Sequence, residues 1–140
     1  MYAVIRIRGN VSISPKTKKT LELLGLNNIN SMSVWPETNA KLQMIRTIEN
    51  YATFGIIDEE TLKEVITKKG KALQGKLDIQ KIVKGLMEGK KAKELNLKNC
   101  FRLSPPKKGY ERKGIKKPFS IGGALGNRKE KINELILRML

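Results

Sequence analysis

The chain has 140 residues, with 29 Lys and Arg against 13 Asp and Glu, for a formal net charge of +16. A single cysteine, Cys100, and the lack of histidine exclude an intrachain disulfide, Ser-His-Asp and Cys-His catalysis, and zinc sites built on Cys and His. No apolar run suits a signal peptide or is long enough to span a membrane, so a cytoplasmic protein without membrane contact is expected.

Residues 1–8 alternate as a strand, with Ala3, Ile5 and Ile7 on one face and Tyr2, Val4, Arg6 and Arg8 on the other. Gly9-Asn10 turns the chain. Ser14-Pro15 opens a helix as N-cap and first helical residue, Leu21 and Leu24 form its apolar stripe, and Gly25 suits the left-handed position after it. Lys16, Lys18 and Lys19 crowd the positive end of that helix dipole, where acids are favoured; an external anion and ordinary solvation account for them equally well. Residues 31–36 read as a second strand, Met32 and Val34 alternating with Ser31, Ser33 and Trp35. Trp35, the only tryptophan, is expected to be partly buried rather than a stacking platform. Thr38 or Asn39 caps a second helix to about residue 50, with Leu42, Met44, Ile45 and Ile48 inward, and residues 51–57 form a third strand. Residues 1–57 are thus a β-α-β-α-β core in which helices can cover one face of a small sheet.

Residues 58–98 read as a helical extension. Asp58 caps a helix with Glu59 and Glu60 in its first turn, Lys68 and Lys69 in its last, and Leu62, Val65 and Ile66 inward. Acids first and bases last match the dipole, so helix stability alone accounts for those charges. Residues 71–77 link to a helix capped by Asp78, with Ile79, Ile82, Val83 and Leu86 inward, and residues 90–97 read as one or two further helical turns. A short strand at residues 99–103 leads into a basic, Gly- and Pro-rich segment, residues 99–128. Residues 129–140 form an amphipathic helix, capped by Gly126 or Asn127, whose Ile132, Leu135, Ile136 and Met139 pack back on the core.

The basic segment is the functional signal. Residues 99–128 hold eight bases and one acid, Glu111, and so carry +7 of the +16. Pro105, Pro106 and Pro118 break helices, and few large apolar groups are available to bury. Self-repulsion opposes compaction there unless a counter-charge binds, and phosphate is the natural one; mere solubility does not require the clustering. Arg102 and the pairs Lys107-Lys108, Arg112-Lys113 and Lys116-Lys117 are spaced by glycines that let the backbone follow an irregular phosphate surface. Tyr110 and Phe119 either stack on bases or pack into a groove. Gly122 and Gly123, followed by Gly126, Asn127 and Arg128, allow close approach of a phosphate to backbone N–H groups, although a turn needing positive φ accounts for the same glycines. The pattern G-x-x-x-x-G-K-[ST] fails at Asn127, where its second glycine is required, and G-x-G-x-x-G fails at Ile121. No carboxylate pair or other catalytic constellation stands out, and no cofactor or metal is expected.

Several strings carry a family resemblance. VIRIRG, TLELLGL, VWPETNA and ATFG, all in residues 1–57, resemble the core of the ribosomal protein L-thirty family, whose eukaryotic members are called L-seven. Bacterial members are short and correspond to that part alone. DEETLKEVITKKG, FRLSPPKKG and GGALGNRKEKINELILRM resemble archaeal and eukaryotic members, and the last two are the most specific; across the whole chain the match is of archaeal type. The resemblance implies an α+β fold: a small antiparallel sheet with helices on one face, a ferredoxin-like core, and a helical and extended basic C-terminal extension. It implies a structural constituent of the large ribosomal subunit, monomeric within the ribosome. Its partners would be large-subunit rRNA and neighbouring ribosomal proteins, with no small-molecule substrate and no catalysis. RNA contacts are implied at Arg8 and Asn10, at Lys16, Lys18 and Lys19, and along the segment from Arg102 to Arg128. The long basic arm that precedes the first strand in eukaryotic members has no counterpart here, so its contacts are not expected. Two alternatives stand beside this reading: an RNA-binding module or RNA chaperone outside the ribosome, and a nucleotide-using enzyme with residues 122–126 as phosphate loop.

Overall fold

The alternation of β1 (Tyr2–Arg6) gives the sheet two apolar faces. In the computed structural model, which describes residues 1–140, β1 lies at the centre of a five-stranded sheet of order β4-β2-β1-β3-β5. β2 (Ser31–Trp35) and β3 (Ala52–Ile56) flank it antiparallel, with Ala3 opposite both Val34 and Gly55. β2, α2 (Asn39–Thr47) and β3 therefore form a split β-α-β unit, with β1 inserted between two strands of like direction; this is the expected ferredoxin-like arrangement. β4 (Phe101–Arg102) extends the β2 edge antiparallel. β5 (Gly126–Asn127) runs parallel to β3 at the other edge, which makes the sheet mixed.

One face buries Val4 and Phe54 against Leu21, Leu24 and Leu26 of α1 (Pro15–Leu23) and its exit, and against Ile45 and Ile48 of α2 and its end. The capping chemistry is as expected. Ser14 Oγ accepts from Thr17 N at 3.3 Å with Pro15 next in line, Thr38 Oγ1 accepts from Lys41 N at 3.4 Å, and Gly25 adopts φ +75°. Trp35 is half-buried, its Nε1 donating to Ser33 Oγ at 2.9 Å and Lys41 Nζ lying 4.0 Å from the ring centre.

Within residues 1–57 the helices cover one face; the chain that follows covers the other. Ala3, Ile5, Met32 and Val34 meet α3 (Glu59–Lys69), α4 (Ile79–Met87) and α5 (Ile132–Met139) in the larger core. Ile132, Leu135, Ile136 and Met139 of α5 are all fully buried, at about 1.5–3 kcal/mol each relative to exposure. α5 approaches β3 so closely that a Cβ on Gly55 would stand 2.1 Å from Lys129 O and 2.8 Å from Ile132 Cβ. No helix is long and apolar enough to cross a membrane.

Three local expectations need correction. Residues 90–97 form tight turns and no helix; they end at Leu97, fully buried and bridged to Ala72. Gly126 and Asn127 do not cap α5 but are consumed as β5. A 3-10 turn, Lys129–Lys131, intervenes, and Asn127 Oδ1 accepts from Lys129 N at 2.9 Å. Asp58 starts α3 without a side-chain cap: its carboxylate instead accepts from Asn133 Nδ2 at 2.9 Å, while Asn133 Oδ1 accepts from Asp58 N at 3.1 Å, which locks α5 to the start of α3.

Candidate nucleic-acid interface

Strand directions gather most of the candidate residues. β1 and β4 end, and β2, β3 and β5 begin, at a single end of the sheet. The Gly9-Asn10 turn and the basic segment, which leaves β4 and re-enters at β5, both lie there. α3 starts beyond the opposite end and returns, so that its last residues line a hollow with Ile29, Asn30 and Arg102.

The basic segment is folded onto this end. Leu103, Pro106, Ala124 and Leu125 are buried, and Ala124 and Leu125 form a minor core with Ile7 against which Tyr110 packs. Its backbone bonds to itself: Phe119 N donates to Leu125 O at 2.7 Å, Leu125 N to Lys117 O at 3.1 Å, Ala124 N to Gly114 O at 3.1 Å and Lys113 N to Gly122 O at 3.2 Å. The few apolar groups of the segment are nevertheless enough to seat it, because the adjacent Ala124 and Leu125 pack on Ile7 and Tyr110 closes over them from earlier in the segment.

Its self-repulsion is reduced at one point. Arg128 is buried, and its Nη1 and Nη2 donate to the two carboxylate oxygens of Glu111 at 2.6 and 3.0 Å. Arg128 Nη2 also donates to Ala124 O at 3.1 Å, Nε donates to Thr53 Oγ1 at 3.0 Å, and the guanidinium lies 4.6 Å from the Phe119 ring centre. Arg138 of α5 reaches the same carboxylate at 3.5 Å and donates to Gly109 O at 3.1 Å. The hydrogen-bonded Arg128 guanidinium holds the Glu111 carboxyl below its ordinary range. Burial pushes the Tyr110 hydroxyl up, and that hydroxyl donates to Asn30 Oδ1 at 2.9 Å. Tyr110 is therefore a packing group, and the half-buried Phe119 ring is engaged by the Arg128 guanidinium.

The candidate residues now separate. Arg102, Lys107, Lys108, Arg112, Lys113, Lys116 and Lys117 are exposed, and none makes an ion pair with an acid. Arg128 leaves the set as a correction, since its donors face inward. Gly123 leaves it too: it is buried, and a Cβ there would lie 2.0 Å from Lys117 O, so the glycine serves chain-on-chain packing instead of an anion. Gly122 is exposed at φ +93°, and Asn127 is exposed with its side-chain oxygen already engaged by Lys129 N. Arg8 is half-buried, donating to Asn50 O at 3.1 Å with its guanidinium 5.1 Å from the Tyr51 ring centre. Asn10 is exposed and accepts from the buried Arg6, whose other donors reach Leu26 O and Asn27 O at 2.8 Å. Lys18 shares a small hollow of about 190 Å³ with Arg6 and Asn10; Lys16 and Lys19 lie outside it, exposed, with Glu22 3.9 Å from Lys19.

Sequence reasoning missed Lys69 and Lys71, which the return of α3 brings beside Arg102. The helix dipole accounts for Lys69 and conceals its neighbour, and Lys71 stands in a linker that carries no other signal. The phosphate-loop alternative loses its basis, because residues 123–126 are buried and no α-helix starts directly after them.

The family model described as ribosomal protein L30p/L7e matches residues 2–52. The chain is 42% identical to the large ribosomal subunit protein uL30 of Nanoarchaeum equitans, over 100% of this chain and 99% of that one. It is 40% identical to the protein of the same name from Methanococcus vannielii, over 99% of each chain. It is 38% identical to that of Aeropyrum pernix, over 100% of this chain and 99% of that one. With whole-length identity of this order and a ferredoxin-like core in the matched residues, the chain belongs to the ribosomal protein L30p/L7e family.

Proposed function

We propose that this chain is a structural, non-catalytic constituent of the large ribosomal subunit in the cytoplasm, binding folded large-subunit rRNA as a monomer among other ribosomal proteins. The observation that carries the proposal is the row of exposed, unpaired cations from Arg102 to Lys117, held by a folded segment at one end of the sheet. Lys18, Arg8 and Asn10 flank that end, whereas Gly122 offers only its backbone and Asn127 its Nδ2 donor. Residues 1–57 fix position, residues 58–98 and α5 brace the second face, and residues 99–128 meet the RNA. Contacts go mainly to phosphates, and selectivity comes from RNA shape.

The test is salt dependence. With roughly six to eight phosphates engaged, the logarithm of affinity for large-subunit rRNA falls against the logarithm of salt concentration with a slope of about −4 to −7. Replacing Lys107, Lys108, Lys116 and Lys117 together by Gln flattens that slope and leaves the melting temperature of the free protein nearly unchanged, because all four are exposed. An unchanged slope removes the segment from the interface.

A further inference from the structure

Between the end of α3 and the exit of β4 lies a hollow of about 570 Å³ whose only apolar lining residues are Ile29 and Leu103. Lys68, Lys69 and Lys71, from the end of α3 and the chain just after it, line it together with Arg102 of β4, Ser104 and Pro105 lead on toward Lys107, and no acid lines it. The helix dipole explains Lys68 and Lys69, but not Lys71, which lies past the helix, nor Arg102, which comes from a strand. Lys68 is occupied by Glu64 at 3.2 Å; Lys69, Lys71 and Arg102 have no acidic partner. Three unpaired cations from separate elements thus line one polar groove, and Ile29, half-exposed, lines it with them.

We propose that this groove binds the sugar-phosphate backbone of a single RNA strand, with Lys69, Lys71 and Arg102 on phosphates and Ile29 against a splayed base. This deepens, and rests on, the RNA-binding reading above. Its volume of about 570 Å³ admits a stretch of one strand's backbone, and a base can turn onto Ile29 only where it is unpaired. Looped and bulged strands are also where RNA exposes base faces to apolar side chains. The mostly polar lining favours phosphate over an acidic protein segment, whose side chains bring no base to pack on Ile29.

The experiment measures binding of the full chain to a short unpaired RNA and to an RNA duplex across a salt series. It compares K69Q/K71Q/R102Q with the lysine quadruple variant of residues 107–117 and with a control of equal charge change, K63Q/K81Q/K84Q. The groove variant is expected to weaken unpaired-RNA binding roughly tenfold and to reduce the steepness of its salt dependence by about 2, with little effect on the duplex and none from the control. Equal loss in the control, or no loss in the groove variant while the quadruple variant still loses affinity, overturns the groove and leaves the RNA-binding reading standing. Polyglutamate that competes as well as the unpaired RNA overturns RNA as the occupant. A wild-type chain that binds neither RNA overturns both readings.

Discussion

Glu111 decides the state of the basic segment. It is the only acid among residues 99–128, and it pairs with Arg128, whose side chain is 1% exposed, and with Arg138. Glu111→Gln leaves Arg128 buried without its counter-charge; the expected loss is about 3 kcal/mol, the lower end for a broken buried pair because the Glu111 side chain is 22% exposed. The pH dependence follows from the lowered carboxyl pKa. Glu111 stabilises the fold above its unfolded-state value near 4.5, and that contribution disappears as pH falls through the lower folded-state value. Melting curves of wild type and variant should therefore differ most near neutral pH and converge as the solution becomes strongly acidic; a gap that persists at low pH contradicts the assignment. From sequence, Arg128 is indistinguishable from its basic neighbours, since its partners Glu111 and Thr53 lie 17 and 75 positions away. The legible hint is Glu111 itself, a lone acid where repulsion between bases is greatest.

Elements with a period were legible and elements without one were not. α5 and α4 announce their buried faces through apolar spacing, and β1 announces both faces of the sheet by alternation. β5 is two residues long and has no pattern of its own; its pairing depends on Thr53, whose Oγ1 donates to Gly126 O at 2.8 Å. Gly126 and Asn127 therefore read as a helix cap from sequence and fold as an edge strand, while Gly122 and Gly126 take the positive φ that the alternative reading, a turn, requires. The same contact geometry makes Gly55 a sensitive position, because α5 and the turn before it press on the β3 backbone. Gly55→Ala is expected to destabilise by about 1–3 kcal/mol through overpacking, read as a lower denaturant midpoint with unchanged slope. A neutral result means that α5 can shift at no cost.

At the scale of the whole molecule, the fold sorts charge by position. Helices cover both faces of the sheet, and the cations without acidic partners in the basic segment, at the end of α3 and at Arg8 before the Gly9-Asn10 turn collect at one end. The charge excess in residues 99–128 was legible as a count; the place where it would gather was not, because it depends on strand order and on the return of α3. Such an end, with its cations displayed on a folded segment, is what the proposed place within folded rRNA requires. Sedimentation of a cell lysate through a sucrose gradient in high salt, followed by detection of this chain, tests that claim most directly. The account predicts that the chain stays with the large subunit; release to the top of the gradient would contradict it and point to a looser RNA partner.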